Sequence, residues 1–354
     1  MTDAAPDVSI LIPVFNTARF LPRALDSVLG QTHRNLEVIA IDDASPDNAY
    51  ELLVQRQKED PRLKIVQHAT NKGTAEARRS GVKAAAGKYI LCLDADDTFD
   101  SNTVEFLLST AEKHSADIVG FGARELTSDG KNLPYGNTLD STPFHLSGKA
   151  VFEALIREHF YSWSLCLKLI RRELFLKACD EMPSAYCVFA EDFMYFIPIA
   201  FYARKLVMSG KILYNYYQEI GITRTGTISL SSFQRSASML NAFSSVRNFL
   251  NRHELFPSFE NAFRLRMEEQ LKMLWEKYKN LANEEKSAAF DFVAEQIGAD
   301  KLQALFTKYA ESPAPEQPSW KHWLKTESFV WKLLKRMQGV LKIYRAKRSG
   351  FHDK

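Results

Sequence analysis

Four acidic residues stand close together in the segment YILCLDADDTFD, residues 89–100. They are Asp94, Asp96, Asp97 and Asp100, and an apolar run precedes them directly. Carboxylates this close repel one another, so one of them is normally protonated unless a cation neutralises the group. The first two are separated by one small residue, and in an extended segment both point to the same side, where such oxygen ligands suit Mg²⁺ or Mn²⁺. The sequence therefore predicts a divalent metal, held by Asp94 and Asp96, that binds a diphosphate.

A second acidic pair, Glu191 and Asp192, lies within an apolar and aromatic segment, FAEDFMYF, residues 189–196. Such surroundings remove water from a carboxylate and raise its pKa towards neutrality, where it can take a proton from a hydroxyl as a general base. The alternative is that the two acids only occupy the first turn of a helix, where negative charge is favourable. The two interpretations are compatible.

Composition and charge describe an ordinary globular chain. Its 354 residues suffice for one large domain or two smaller ones, 45% are hydrophobic and 25% charged, and a net charge of +3 is too small to indicate nucleic-acid binding.

The four cysteines include no CxxC pair, which argues against a zinc site or disulfide framework and indicates a reducing compartment. The N-terminus lacks a signal-peptide pattern, and the longest apolar stretch, residues 193–203, falls well short of the ~20 residues that span a bilayer. We therefore expect a cytoplasmic protein that does not cross a membrane.

Residues 1–122 alternate between short apolar, β-branched runs and amphipathic stretches. This alternation predicts a mostly parallel, doubly wound α/β sheet. The third helix is expected to end at Gly87, because glycine is favoured after helix C-termini. We expect strands at 8–13, 36–41, 63–67, 89–93 and 117–122, and helices at 20–29, 50–58, 74–86 and 104–114.

Polar or acidic clusters follow three of these strands directly. They lie at residues 13–16, 42–45 and 94–97. Ligands of doubly wound sheets bind outside the carboxyl ends of the strands. We therefore expect the three clusters to converge on one binding site.

Four motifs occur in order: PVFN at 13–16, QTHRNLEVIAIDDASPD at 31–47, NKGTAEARRSG at 71–81 and LDADD at 93–97. Together they resemble the family 2 glycosyltransferases of bacterial surface-polysaccharide synthesis, over residues 7–230. This resemblance implies the GT-A fold, inverting sugar transfer and a nucleotide-sugar donor. The sequence has neither a P-loop nor a G-x-G-x-x-G turn after the first strand, which argues against a P-loop NTPase or a dinucleotide-dependent dehydrogenase.

The resemblance also implies roles for individual residues. Asp96 would be the metal ligand, Asp94 would face the ribose or the metal shell, and one of the acids Asp42 and Asp43 would bond the base. Asp192 would be the catalytic base, and Glu191 would orient it or bind acceptor. The residues implied to bind the nucleotide sugar are Pro13, Val14, Asn16, Asp42, Asp43, Asn71, Lys72, Gly73, Arg78, Asp94, Ala95 and Asp96.

Some residues near these motifs have a physical reason for their assignment. Gly73 lets the backbone approach a ligand closely, and Lys72 and Arg78 supply positive charge for phosphate. We assign Arg79 to a solvated helix face and Asp47 to turn and N-cap chemistry.

The acceptor side is expected in two later segments. Trp163, in WSLCLKLIRRELF, is either a platform for a sugar ring or a core residue, and Lys168 is expected to contact phosphate or acceptor. In LYNYYQEIGITRTGTIS the resemblance implies a loop over the diphosphate, but Gln218 stands where an arginine is common. Arg224 is therefore the expected substitute.

The chain changes character after the first part of the sheet. Residues 123–150 are rich in Gly, Pro, Ser and Thr and are expected to form a loop or an irregular hairpin. Long helices are expected at 233–252 and 259–281, before a Pro-rich breaker at 311–319. The predicted organisation is a GT-A catalytic domain at 1–230, a helical extension at 231–311 and a basic amphipathic segment at 312–354.

The C-terminal segment is basic and amphipathic. Residues 320–348 contain nine Lys or Arg and a single acid, Glu327, with tryptophans and with apolar residues at three- and four-residue steps. This pattern suits peripheral contact with an anionic membrane surface, here the inner face of the cytoplasmic membrane. The alternative is a helix that packs on the domain with solvated lysines.

These observations predict a metal-dependent, inverting transfer from a nucleotide-diphosphate sugar, with a UDP-sugar favoured. The acceptor would be a hydroxyl of a surface glycan or a lipid-linked saccharide. Transfer to polyprenyl phosphate, whose acceptor is already anionic, and nucleotidyl transfer to a sugar phosphate stay open as alternative reactions. A non-catalytic, glycosyltransferase-like scaffold is the alternative that is not an enzyme.

Overall fold

The structure, a computed structural model, describes residues 5–132, 142–157, 161–217 and 228–311. The chain divides into two units, residues 1–302 and 303–354. The first unit holds the sheet and the candidate site. The domain boundaries predicted at residues 230 and 311 stay predictions.

A mixed sheet organises the first unit. Its strands within the described residues are β1 Val8–Val14, β2 Leu36–Asp42, β3 Leu63–Gln67, β4 Tyr89–Cys92, β5 Thr98–Phe99, β6 Ile118–Leu126, β7 Phe144–Ser147, β8 Lys168–Arg171 and β9 Lys205–Tyr217. They pair in the order β3-β2-β1-β4-β8-β6-β9-β5, and β7 pairs with β9.

Helices follow most of the strands. They are α1 Leu21–Leu29, α2 Ala49–Glu59, α3 Thr74–Ala84, α4 Thr103–His114, α5 Lys149–Ile156, α6 Arg172–Glu181, α7 Glu191–Tyr202, α8 Leu230–Ala237, α9 Met239–Arg252, α10 Phe256–Lys279, α11 Asn283–Ile297 and α12 Ala299–Glu311. Across residues 5–132, 142–157, 161–217 and 228–311, no helix combines the length and apolar character that crossing a bilayer requires.

The first four strands are parallel, as the sequence predicts. Both β1 and β2 are almost wholly buried because their apolar, β-branched residues are covered on both faces. Beyond β4 the sheet becomes mixed, since β8 runs antiparallel to both β4 and β6, while β6 and β9 are parallel. The predicted α/β fold is confirmed, with antiparallel strands confined to its second half.

Some element boundaries differ from the prediction. The helix expected at 233–252 is two helices, α8 and α9, which meet at Ser238. The segment expected to be a loop or hairpin at 123–150 contains the end of β6 and all of β7. The third helix ends at Ala84, two residues before the expected bound of 86, and Ala85 after it is extended.

Gly87 serves close packing instead of capping the helix. Its N–H donates to Ser9 Oγ at 2.9 Å. A Cβ at this position would lie 2.6 Å from Ser9 N and 2.8 Å from Val8 C, which are backbone atoms of β1. Only glycine therefore allows the turn into β4 to lie against β1.

The parallel strands bring their carboxyl ends to one edge of the sheet. There, Val14, Asp42 and Cys92 end β1, β2 and β4. The three clusters that follow these strands lie at this edge, which is the position expected for a ligand site.

We predict that Gly87→Ala lowers the free energy of unfolding by about 1–3 kcal/mol, because the added methyl forces β1 backbone to move. Urea unfolding of the full chain measures the difference. The control is Ala86→Ser, an exposed neighbour that gains one atom in solvent, with a change within about 0.5 kcal/mol. Equal stability of wild type and Gly87→Ala would contradict the tight packing.

Candidate active site

A cavity of about 660 Å³ lies at the carboxyl edge of the parallel strands. Its walls come from the ends of β1, β2 and β4, from the segment before α3, from the segment that enters α7, and from α8. The cavity is lined by ten of the residues that the sequence singles out, namely Pro13, Val14, Asn16, Asp43, Asn71, Gly73, Asp94, Ala95, Asp96 and Glu191.

A buried arginine joins the two acidic motifs behind this cavity. Arg78 is 1% exposed. Its Nη1 donates to Glu191 Oε1 at 2.9 Å and also to Asp192 Oδ1, and its Nη2 donates to Asp94 Oδ1 at 3.0 Å. A buried guanidinium is very costly without counter-charge. Three carboxylates supply that charge, so strand β4 and helix α7 are held together at Arg78.

These contacts differ from the phosphate contact expected of Arg78. Both of its terminal nitrogens donate to carboxylates, and Arg78 is not among the residues that line the cavity. Its binding to phosphate stays a prediction. The structure gives it a positioning role between Asp94 and Asp192.

The expectation for Arg79 is wrong. Its side chain is largely buried. Its Nη2 donates to the carbonyls of Met182 at 2.9 Å and Pro183 at 3.0 Å, and its Nη1 donates to the carbonyl of Cys179. Arg79 thus binds the C-terminal end of α6 instead of lying on a solvated face.

The acidic pair occupies the first turn of α7, as one of the two interpretations expects. Glu191 lines the cavity, whereas Asp192 lies beside Arg78 and is not among the lining residues, so its role as a base stays a prediction. Burial is the main cause that raises the pKa of Glu191 to about 7, with Arg78 opposing and Asp192 adding to the rise. Burial likewise raises the pKa of Asp192, against the charge of Arg78. With a pKa of about 7, the Glu191 carboxyl can exchange protons near neutral pH.

The entry into α7 is itself strained. Ala190, the residue before the acids, has φ of +64° in the left-handed region, which costs energy for a residue with a Cβ. The body of the helix is fully buried from Phe193 to Ala200, and this packing fixes where its first turn begins. The strained residue therefore aims the acids at the cavity edge.

Three of the four clustered aspartates have partners other than a metal. Asp94 pairs with Arg78 and Asp100 with Arg124. Asp97 is buried and accepts from Tyr214 Oη at 2.6 Å and from Tyr217 N at 2.9 Å, and burial raises its pKa well above the ordinary range.

Asp96 differs, because no cation lies within ion-pair distance of its carboxylate in the described part of the chain. Burial, with repulsion from Asp94, raises its pKa to about 6. Asp96 lines the cavity, and the Asp94 side chain is 42% exposed.

The two carboxylates fit a divalent ion that takes its other ligands from substrate and water. The described residues contain no cluster of three or more His, Cys, Asp or Glu arranged around a metal position. Mg²⁺ and similar ions are often bound by one or two carboxylates together with substrate phosphates. The donor set of Asp94 and Asp96 matches that arrangement.

Asp43 shapes the loop at residues 71–73, of which Asn71 and Gly73 line the cavity. Its carboxylate accepts from Lys72 N at 2.8 Å and from Gly73 N at 2.7 Å, and His68 Nδ1 lies 2.6 Å away. Gly73 has φ of +84°, and a Cβ there would lie 3.2 Å from the Cys187 carbonyl oxygen, so glycine is required. The loop is thus held by Asp43 from one side and by the chain near Cys187 from the other.

Several predicted residues do not line the cavity. Asp42 is buried and accepts from Ser45 N at 3.1 Å, and the side chain of Lys72 is exposed. The Trp163 ring packs edge-on against Phe193, with ring centroids 5.2 Å apart.

Lys168 is the clearest departure from the expected acceptor side. It is fully buried, its Nζ donates to the Ser164 carbonyl at 2.9 Å, and it lies 4.8 Å from the centroid of the Phe196 ring. This burial places Lys168 inside the protein instead of at the cavity. Gln218, Arg224 and residues 320–348 lie outside the described residues.

Sequence reasoning missed part of the cavity wall. Tyr186 and Phe189 contribute aromatic surface, and α8 contributes Ser232 and Arg235. The predicted helix through 233–252 gave no reason to place Arg235 at the sheet edge, although its spacing from Ser229 and Ser232 puts all three on one helix face.

Sequence comparison agrees with this geometry. Residues 9–175 match the sequence profile described as Glycosyl transferase family 2. Residues 9–175 therefore contain a family 2 glycosyltransferase domain. The chain is 32% identical over 219 residues to the "Uncharacterized glycosyltransferase EpsJ" of Bacillus subtilis, covering 60% of this chain and 61% of EpsJ. It is also 29% identical over 270 residues to the "Cholesterol galactosyltransferase" of Borreliella burgdorferi, covering 73% of this chain and 71% of that protein.

The chain spans about three-fifths of the length of curated relatives such as EpsJ. Among solved structures, it is similar to S. aureus TarS 1–349 in complex with UDP-GlcNAc, at 18% identity and a TM-score of 0.53, covering 86% of this chain and 92% of that one. This similarity concerns the fold. The predicted GT-A fold is confirmed.

The raised pKa of Glu191 predicts a pH-dependent stability. A carboxyl whose pKa is higher in the folded state than in the unfolded state stabilises the fold fully at pH values below its ordinary pKa, which is 4.5 for Glu191. That contribution is lost as the pH rises through the folded-state pKa of about 7. Relative to Glu191→Gln, the wild type should therefore lose about 1–3 kcal/mol of unfolding free energy between pH 5 and about pH 8.

Urea unfolding at four pH values across this interval measures the difference. Glu173→Gln is the matched control, because Glu173 is an exposed glutamate in the first turn of α6, and this variant should follow the wild-type pH profile. A parallel profile for wild type and Glu191→Gln would show that Glu191 carries no such shift.

Proposed function

We propose that this chain transfers a sugar, with inversion, from a nucleotide-diphosphate sugar to a hydroxyl of a saccharide or lipid-linked acceptor. The observation that supports this proposal is the Arg78 contact, which holds Asp192 next to Asp94 and Glu191, two residues that line the cavity. Such a site combines the residues needed to bind a diphosphate with those needed to deprotonate a hydroxyl. A UDP-sugar is the favoured donor, because TarS, a protein of similar fold, binds UDP-GlcNAc.

The donor would lie along the carboxyl ends of the strands. In this proposal Pro13, Val14 and Asn16 face the nucleoside, and the loop at 71–73, held by Asp43, closes over base and phosphates. Asp96 and Asp94 would hold a divalent ion, which stabilises the negative charge that develops on the departing diphosphate.

The reaction needs a base on the acceptor side. Asp192 would take the proton of the acceptor hydroxyl while the oxygen forms a bond to the anomeric carbon and the bond from that carbon to the diphosphate breaks. Arg78 would orient the Asp192 carboxylate, and its charge favours the ionised form that a base requires. The product has inverted configuration, and no covalent intermediate forms on the chain.

The nature of the acceptor is proposed from one relative and from composition. A relative is named for galactosyl transfer to cholesterol, which supports a lipid or lipid-linked acceptor here. Contact of residues 320–348 with an anionic membrane surface would bring such an acceptor to the cavity.

We expect Asp192→Asn to lower sugar transfer by roughly 10²- to 10⁴-fold, because the hydroxyl then has no base, while UDP affinity stays within about twofold. A panel of nucleotide sugars, assayed for metal-dependent hydrolysis, first identifies the donor. Transfer rates and calorimetry with UDP and Mn²⁺ are then compared for wild type, Asp192→Asn and the exposed control Asp180→Asn. If Asp192→Asn keeps most of its activity, an acceptor that is already anionic, such as polyprenyl phosphate, replaces the hydroxyl in this proposal.

Metal dependence has its own test at Asp96. Chelation by EDTA should weaken UDP binding to wild type by at least about tenfold, since the carboxylates then face the diphosphate without a cation. Asp96→Asn should bind UDP weakly with or without Mn²⁺, whereas Asp129→Asn, an exposed loop acid, should behave as wild type. Unchanged affinity of Asp96→Asn for UDP with Mn²⁺ would remove Asp96 from the metal site.

A further inference from the structure

Helix α8 presents a polar face to the cavity. Ser229, Ser232 and Arg235 follow one another at three-residue steps, and all three line the cavity. The Ser229 hydroxyl caps the helix by accepting from Ser232 N at 3.3 Å. This cap fixes the first turn, so the arginine one turn later has a defined direction.

Arg235 is the cationic residue of the cavity wall. Among the described residues that line the cavity it alone carries a positive side chain, beside Asp43, Asp94, Asp96, Asp97 and Glu191. Asp43, Asp94, Asp97 and Glu191 have other partners, and within the described ranges no carboxylate lies within ion-pair distance of Arg235.

The guanidinium is also incompletely hydrogen-bonded. Its Nε is shielded from solvent and has no acceptor among the described residues. A buried N–H without an acceptor is unfavourable, and for a charged group the cost is larger. The Arg235 Nε–H is therefore available to donate to an acceptor that comes from outside the described part of the chain.

A second cation strengthens the positive character of this wall. Lys277 Nζ donates to Ser236 Oγ, next to Arg235 in sequence, at 2.7 Å and lies 5.3 Å from the centroid of the Phe189 ring, which also lines the cavity. Burial and the charge of Arg235 lower the pKa of Lys277. Besides burial, the lowered pKa reflects repulsion between the two cations, which a bound anion would relieve.

We propose that Arg235 binds a phosphate group of the nucleotide that occupies this cavity, a contact that rests on the proposed function. A planar guanidinium donates two parallel hydrogen bonds to phosphate oxygens, and this is the geometry that a lone arginine in a cavity offers. The acids at the strand ends repel a diphosphate unless positive charge balances them. Arg235 supplies that charge from α8, independently of any metal at Asp94 and Asp96.

Calorimetry of the full chain with uridine, UMP and UDP, each with Mn²⁺, tests the contact. Arg235→Ala should weaken UDP binding by roughly ten- to a hundredfold, the loss expected for one charge-assisted pair, and leave uridine affinity unchanged. Arg235→Lys, which keeps a point charge, should lose less than Arg235→Ala. Arg264→Ala, on a side chain of α10 that is 64% exposed, is the matched control and should bind all three as wild type does.

The outcomes separate the two proposals. Equal UDP affinity of wild type and Arg235→Ala, or an equal loss for uridine and UDP, overturns the phosphate contact while the proposed donor stands. Absence of UDP binding by the wild type overturns the proposed donor and the phosphate contact with it. A circular-dichroism melt of Arg235→Ala and Arg235→Lys identifies a folding defect. If Arg235→Ala is misfolded, the UDP affinity of Arg235→Lys, compared with its uridine affinity, decides the contact: a loss for UDP alone supports it, and no loss or an equal loss overturns it.

Discussion

The charge of Arg78 is the constraint on which the site depends. A guanidinium cut off from water needs counter-charge within hydrogen-bond distance, and here Asp94, Glu191 and Asp192 supply it. Arg78 belongs to α3, Asp94 follows β4, and the two acids occupy the first turn of α7. Arg78 and Asp192 are more than a hundred positions apart in the sequence. Removal of one partner from a buried ion pair typically costs about 3–5 kcal/mol. The same interaction therefore stabilises the fold and fixes the distance between the two acidic motifs.

The charge balance of the cavity follows from this constraint. Arg78 pairs with Asp94, Arg124 with Asp100, and Asp97 accepts a hydrogen bond from Tyr214. Repulsion from Asp94 nevertheless still raises the pKa of Asp96. Among the charged side chains that line the cavity in the described part of the chain, Asp96 and Arg235 have no ion-pair partner. A ligand that carries both a bound cation and phosphate oxygens can pair with the Asp96 carboxylate and with the Arg235 guanidinium, whereas a neutral sugar can form an ion pair with neither.

The sequence predicts the parts of this site that depend on local pattern. Apolar, β-branched runs gave β1 to β4 within a residue or two, and the clusters at their carboxyl ends line the cavity as expected for a doubly wound sheet. Contacts made over long sequence distances were not predictable in this way. Periodicity assigns Arg79 to a helix surface but cannot show that the end of α6 lies over it, and it cannot show that Lys168 is enclosed by aromatic rings. The break between α8 and α9 at Ser238, which turns α8 towards the cavity, is not marked by a proline or glycine in the sequence.

The loop at residues 71–75 and the segment around Asp192, the proposed base, are hydrogen-bonded to each other. Ala75 N donates to the Cys187 carbonyl at 3.0 Å, and Tyr195, inside α7, donates from its hydroxyl to the Ala75 carbonyl at 3.1 Å. Gly73 has no Cβ, and this allows the chain at Cys187 to come within contact of the loop. The backbone that would close over a nucleotide is thus bonded to the segments immediately before and after Asp192. These hydrogen bonds fix the position of the first turn of α7 relative to the loop, and with it the position of Asp192 relative to the cavity.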